Sequence, residues 1–299
     1  MFKMEKISSV MFKVGFDSCG VVRADSLSRS DAKFHFEQWL AKGKAEGLDY
    51  LHRNVDKRFD PSLLFEGAKS VIVGAVSYKN DLSMGYEADC DSKIASYARA
   101  CDYHTTIRQM LHEAAKLLGF SSAADYKVCV DSVPLAEKSL ARLAGIGWQG
   151  RNSLIISPTL GSFIHLGVLI IGHECDTYST PFENDGCVGC GRCLLRCPTG
   201  AIGPNRTIDT TRCIANKTIE MADSEFDSHG WFFGCDECQS CCPHNATAPL
   251  AVNSRFAPTF DPRDYDSDFW ANLGPAEAKK LFGHTALARR LSRRHNIKS

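Results

Sequence analysis

Eight of the fourteen cysteines in this 299-residue chain fall into two ordered runs. Cys187, Cys190, Cys193 and Cys197, the last before Pro198, follow C-x2-C-x2-C-x3-C-P spacing; Cys213 is followed by Cys235, Cys238 and Cys242, the last before Pro243. This is the pattern by which a chain binds two iron–sulfur clusters, three thiolates of a run on one cluster and the fourth, before proline, crossing to the other. The crossover assigns Cys187, Cys190, Cys193 and Cys242 to one [4Fe-4S] cluster and Cys197, Cys213, Cys235 and Cys238 to the second. A segment built this way must wrap around two inorganic cores, and its chemistry is the movement of single electrons.

Other uses of these thiols fit less well. A structural zinc takes four ligands from two C-x2-C pairs and has no use for a third cysteine in the run or for the Cys-Pro step. Disulfides belong to oxidising compartments, and no apolar signal-peptide core leads the chain. Cys19, Cys90, Cys101, Cys129 and Cys175 show no mutual spacing and read as ordinary thiols. Cys241 continues a two-residue gap from Cys238, but Cys242 carries the proline and the three-residue gap, so Cys242 is the expected ligand.

The rest of the chain is large enough for more than an electron carrier. With 44% hydrophobic residues it can bury a larger domain beside the cluster module. Lys+Arg and Asp+Glu both number 35, so net charge points to no polyanionic partner, yet Lys279, Lys280, Arg289, Arg290, Arg293, Arg294 and Lys298 make a basic tail. A solvated helix face and a nucleic-acid contact both account for that run. No apolar stretch is long enough to span a bilayer, and the expectation is a soluble cytoplasmic monomer.

Hydrophobic periodicity gives alternating helices and strands. Met4, Ile7, Val10, Met11 and Val14 recur at helical spacing, and Gly20 to Ala24 is a short apolar strand. Phe34, Trp39 and Leu40 lie on another helix, and Asp60-Pro61 marks a turn. Val71 to Val76 is a continuous apolar run, as expected of a central strand covered on both faces. After a polar loop from Lys79 to Asp91, the stripe Ile107, Met110, Leu111, Ala114, Ala115, Leu118 predicts a helix stopping at Gly119. Val128 to Val130 and Phe163 to Ile171 are further strands, and Pro134 is expected to open a helix through Leu143. The class is α/β or α+β, divided as a catalytic domain over 1–178, a ferredoxin-like two-cluster module over 179–246 and a basic C-terminal segment over 247–299. That last segment reads as polar and wrapped around the body.

The stretch from Val130 to Asn152, VDSVPLAEKSLARLAGIGWQGRN, resembles the epoxyqueuosine reductases. So do Gly161-Ser162-Phe163, Leu166-Gly167, CPTGAI over 197–202, Cys213-Ile214 with Thr218 to Glu220, GCDECQ over 234–239, and upstream Asp60-Pro61, GAKSV over 67–71 and Asp102-Tyr103-His104. Together these cover most of residues 50 to 245. Two positions depart from the family pattern: Ala215, where serine is frequent, and Ser96 to Cys101, which is less glycine-rich. The helical-repeat extension of longer members is not expected here.

The resemblance implies a cobalamin-dependent reductase with a cofactor domain similar to that of reductive dehalogenases. Its two clusters would feed electrons to cobalt, and the reaction would convert epoxyqueuosine in the tRNA anticodon loop to queuosine, drawing on a flavodoxin- or ferredoxin-type reductant. It implies that Asp131 donates a proton to the epoxide oxygen, whereas its place near a strand end and before Pro134 also suits a helix cap. A general acid near neutral pH needs a raised carboxyl pKa, which burial beside the cofactor would provide. Asn54, Ala95, Ile155, Leu166, Ala215 and Asp236 are, by the same resemblance, cobalamin contacts together with Asp131. His104 and His165 are candidate axial ligands by position, but the DxHxxG motif of cobalamin methyltransferases is missing and no protein histidine is expected on cobalt.

Two other functions compete. A ferredoxin-type electron-transfer protein would need no large domain with an acid at a strand end. A cobalamin-dependent reductase of small molecules, such as a dehalogenase, would commonly carry a twin-arginine export signal.

Overall fold

The computed structural model describes residues 1–87, 90–122, 124–221, 223, 225–288 and 291. Its centre is a four-stranded sheet built from widely separated segments. In chain order the elements before the cluster module are α1 (Met4–Lys13), β1 (Ser18–Arg23), α2 (Ala32–Ala41), α3 (Val55–Phe59), β2 (Ser70–Ser77), β3 (Lys93–Ile94), α4 (Tyr103–Leu118), β4 (Tyr126–Cys129), α5 (Glu137–Leu143), β5 (Trp148–Gln149), β6 (Ile155–Ile156) and β7 (Ile164–Ile171). A last short strand, β8 (Trp231–Phe233), lies within the module.

The sheet order is β1-β2-β7-β4, and every pairing in it is antiparallel. The class is therefore α+β. β2 is buried at all eight positions, because each face of the sheet carries its own helical layer. Ile72 and Val76 point into the core made with α1 and α4, through Ile7, Met11, Ile107 and Leu111. Val71, Val73 and Ala75 point the other way, onto Leu140 and Ala141 of α5. Each such aliphatic side chain contributes about 1.5–3 kcal/mol on leaving water.

The pair Gly74 and Gly167 lies opposite in the β2–β7 ladder. A Cβ on Gly74 would meet Phe16 Cδ1 at 2.5 Å, and one on Gly167 would meet Ile107 Cγ2 at 2.5 Å. Two missing side chains thus let α1 and α4 lie close against the sheet, which fixes where the first turn of α4 ends up.

Two expectations need correction. Pro134 does not open the helix, which begins at Glu137 with Ala136 at its cap. The residues from Asp131 to Ala136 instead form consecutive tight turns. Nor is the C-terminal segment a polar wrapping: Trp270, Leu273, Phe282 and Leu287 are buried and pack with Ile94, Ala98 and Phe233 in a core of their own. Aromatic residues without a helical period carry that burial. Of the basic tail, Arg289, Arg290, Arg293, Arg294 and Lys298 lie outside the described residues.

The proposed boundaries at 178 and 246 are crossed by the packing. β3 pairs in parallel with β8. Asn152 Nδ2 donates to the Cys238 carbonyl at 3.2 Å, and Asn245 Oδ1 accepts the Ser162 N–H at 2.6 Å. The cluster segment is thereby woven into the sheet domain. Among the described residues no helix is long and apolar enough to cross a membrane.

Candidate active site

Asp131 follows the edge strand β4 by two residues and adopts a left-handed backbone, φ 50°. The Ser132 N–H closes back on the Val130 carbonyl, a tight turn with Asp131 at its centre. On the neighbouring α4, Asp102 caps the helix by accepting the His104 N–H at 3.0 Å. That cap places Tyr103 and His104 in the first turn, directly beside Asp131. The Tyr103 hydroxyl donates to Asp131 Oδ2 at 2.8 Å, and His104 Nε2 lies 3.0 Å from the same oxygen. His104 Nδ1 lies 2.7 Å from Asp102 Oδ1.

The imidazole therefore bridges two carboxylates. Desolvation pulls its pKa down, but the hydrogen bonds and charges of Asp102 and Asp131 outweigh it and hold His104 above the usual 6.5. The Tyr103 ring stacks on His104 at 3.9 Å and on His165 at 4.4 Å. His165 is buried, its Nε2 has no hydrogen-bond partner, and desolvation drives its pKa down to about 3. It is a neutral aromatic wedge beneath Tyr103.

The Asp131 side chain is 60% exposed and opens onto the cleft where a cofactor would lie against it. Its neighbour Glu137 is half-buried. Desolvation first, and the charge of Asp131 second, push Glu137 up to about 8. Its Oε1 accepts the Asp131 N–H at 2.8 Å. Asp131 caps no helix, since α5 begins six residues later and has no side-chain cap.

All four groups open onto a cleft of about 1550 Å³, larger than the roughly 300–1,000 Å³ of ordinary small-molecule pockets. Its walls include Trp39, Tyr50, Tyr97 and Phe233, and the cations Arg53, Arg58, Lys138 and Arg142. Such a cavity can take a large, partly anionic, flat ligand together with a second molecule.

The cysteines of the two runs lie near one another. Cys187, Cys190, Cys193, Cys238 and Cys242 line one small cavity. Cys213, Cys235 and Cys238 lie close enough to act electrostatically on one another, and Cys197 acts on Cys213. Desolvation raises the thiols of Cys193, Cys213, Cys235, Cys238 and Cys242. Buried thiols of this kind ionise when a metal supplies the positive charge, so the donor set suits iron–sulfur cores. N–H groups already point at sulfur: Trp148 Nε1 donates to Cys187 Sγ at 3.4 Å, and the Ala201 N–H to Cys197 Sγ at 3.3 Å. Cys241 does not line the cavity; its Sγ turns to the Cys238 carbonyl. Lys138, on the cleft wall, donates to the Ser153 carbonyl at 3.0 Å and lies within electrostatic reach of Asp131, Cys238 and Cys213.

Of the residues expected at the cofactor, Asn54 and Asp131 line the cleft. Asn54 is left-handed, φ 58°, at the start of α3. Ile155 and Leu166 pack in the core, Ala95 is buried under the module, and Ala215 lies on the short helix after Cys213. Asp236 is buried and accepts the Ser96 N–H at 2.6 Å. The residues sequence reasoning passed over are Tyr103, Glu137, Lys138 and Arg142. Tyr103 stood in the recognised Asp102-Tyr103-His104 triplet and Glu137 six residues after Asp131, but neither spacing reveals a contact across two elements.

Comparison with known proteins agrees with this geometry. Residues 58–132 match the family described as "Epoxyqueuosine reductase QueG, DUF1730", and residues 186–245 match a 4Fe-4S double cluster binding domain. An epoxyqueuosine reductase of Cyclobacterium marinum is 36% identical over 93% of this chain and 89% of its own length. The chain belongs to the epoxyqueuosine reductase family. A second member, from Gloeobacter violaceus, is 33% identical over 95% of this chain and 90% of its own. A crystal structure of an epoxyqueuosine reductase with an epoxyqueuosine-modified tRNA-Tyr stem loop superposes over 97% of this chain and 78% of that one, with a TM-score of 0.82 at 25% identity. This reductase is thus an oxidoreductase with a double [4Fe-4S] module.

Proposed function

We propose that this reductase removes the epoxide oxygen of epoxyqueuosine at the wobble position of tRNA, the last step in making queuosine. The observation that carries the proposal is the convergence of Asp131, Tyr103 and His104 on a cleft whose wall also holds Lys138, within electrostatic reach of Cys213 and Cys238. Converting an epoxide to an alkene breaks two carbon–oxygen bonds, forms the carbon–carbon double bond and consumes two electrons and two protons, with oxygen leaving as water. When bound in the cleft, cobalamin supplies a metal centre that can hand electrons to the substrate. Asn54 and the aromatic and cationic walls are the residues that would hold it.

The chain's own residues supply the protons. The Asp131 carboxyl protonates the oxygen as its bond to carbon breaks, while Tyr103 and His104 fix that carboxyl by two hydrogen bonds. His104, whose pKa Asp102 and Asp131 raise, is placed to return a proton to Asp131. The eight cysteines are assigned as the cluster ligands in the two sets of four that their spacing gives, with Cys242 rather than Cys241. Electrons enter from a flavodoxin- or ferredoxin-type reductant and leave through the set nearer Lys138.

A base still stacked in the anticodon loop cannot reach the cleft, so the wobble nucleotide is extruded into it. Arg53, Arg58 and Arg142 on the cleft wall, with Arg192, Arg212 and the basic tail, are the phosphate contacts; Arg196 is engaged by Glu237 at 2.8 Å. Such a substrate places the enzyme in the cytoplasm. The test is nucleoside mass spectrometry of epoxyqueuosine tRNA after incubation with reduced, cobalamin-loaded protein. Queuosine is expected; unchanged epoxyqueuosine with fully loaded protein would refute the proposal.

A further inference from the structure

The turn that carries Asp131 is held by a side chain with no part in the proton path just described. Glu137, the first residue of α5, folds its carboxyl back along the chain and accepts the Asp131 N–H at Oε1, 2.8 Å away. Asp131 has φ 50°, a conformation that a residue with a Cβ keeps only where its surroundings over-determine it. Tyr103 and His104 hold the Asp131 carboxyl, and Val133 and Leu135 anchor the far end of the segment in the core, but these contacts act on side chains rather than on the Asp131 amide. The Ser132 and Leu135 N–H groups close three-residue turns on Val130 and Val133, Pro134 has no N–H, and the Ala136 N–H donates to the Arg58 carbonyl at 2.9 Å. Asp131 and Ser132 are both exposed, so packing does not fix them.

The position is unfavourable for a carboxyl. Glu137 is half-buried beside Asp131, and desolvation and that charge raise its pKa to about 8. An apolar residue would avoid this cost, but it could not accept the Asp131 N–H.

We infer that Glu137 is a positioning residue of the reduction: its carboxyl oxygen clamps the Asp131 amide and so keeps the Asp131 carboxyl between Tyr103, His104 and the substrate. The catalytic half of this inference rests on Asp131 being the proton donor; the clamp itself does not.

Two variants test it. Glu137→Ala removes the acceptor, and Glu137→Gln leaves an oxygen in the same place. Hydrogen exchange of peptides spanning residues 130–136, measured in cluster-loaded protein without tRNA, is expected to rise about tenfold in Glu137→Ala, the worth of one net hydrogen bond. In Glu137→Gln it is expected to stay near wild type. Single-turnover queuosine formation should fall at least about tenfold in Glu137→Ala with KM for tRNA little changed, and Glu137→Gln should restore most of it.

A merely structural role in α5 would lower iron content and melting temperature without a selective change in this segment, and that pattern overturns the inference. Unchanged exchange in Glu137→Ala overturns the clamp, and raised exchange with intact turnover overturns the positioning role. Should Glu137→Ala fail to fold, Glu137→Asp, whose carboxyl is one methylene short, is expected to show the same two losses. Full activity in Asp131→Asn would remove the donor reading alone, leaving the exchange experiment to judge the clamp.

Discussion

His104 Nε2 stands 3.0 Å from Asp131 Oδ2, joining the first turn of α4 to the turn after β4. The contact ties an exposed carboxylate to a buried imidazole. Replacing Asp131 by Asn keeps the shape and can still meet Tyr103 and His104, but it cannot deliver a proton. Turnover should drop about a hundredfold or more with clusters and tRNA binding retained. Single-turnover queuosine formation checks this, and near-normal rates would return Asp131 to a structural role.

His104 itself gives a pH signature. Its folded pKa lies above the unfolded 6.5 because Asp102 and Asp131 favour the cation despite desolvation. The stability it contributes is therefore fully present below about pH 6.5 and is lost as pH rises through the folded value. His104→Gln should remove that dependence. Chemical denaturation of both proteins between pH 6 and 9 should show their difference shrinking toward alkaline pH.

Glu137 predicts a slope of the same sign from the opposite charge type. Its carboxyl, near 4.5 when unfolded and about 8 when folded, keeps its proton in the native state after the unfolded chain has lost it. Wild-type stability should fall relative to Glu137→Gln as pH rises from about 4.5 to about 8 and level off above. Parallel denaturation curves at pH 5 and pH 9 measure this; an unchanged difference would mean that water in the cleft solvates the carboxyl.

For the clusters, Cys242→Ala should remove a ligand and lower the iron content of reconstituted protein, whereas Cys241→Ala should keep about eight iron per chain. Iron and sulfide analysis after anaerobic reconstitution distinguishes them. Loss in Cys241→Ala with retention in Cys242→Ala would reverse the assignment.

Local pattern carried most of the secondary structure. The stripe from Ile107 to Leu118 and the apolar runs at Val71 and Phe163 became α4, β2 and β7 because one-sided or two-sided burial writes its period into the residues. Pro134 misled because proline serves irregular turns as readily as helix starts. The antiparallel order of the sheet was not legible, since long connections permit either direction. The C-terminal core escaped notice because Trp270, Leu273 and Phe282 follow no single repeat. At the site, the double-cluster module was legible in cysteine spacing, whereas the junction of Tyr103 with Asp131 spans 28 residues and two elements, and only the packing of α4 on its glycine-bared sheet brings it about.

The parallel pairing of β3 with β8 has a consequence for how such an enzyme ages. Phe233, at the end of β8, is also a wall of the cleft, and the cysteines begin again two residues later. Oxygen that dismantles an iron–sulfur core would slacken the strand that shapes the cleft, so redox damage to the module should loosen the cleft as well. The electron relay is consequently not an exchangeable cassette that evolution or an engineer could trade for another donor module while leaving the reaction chamber intact.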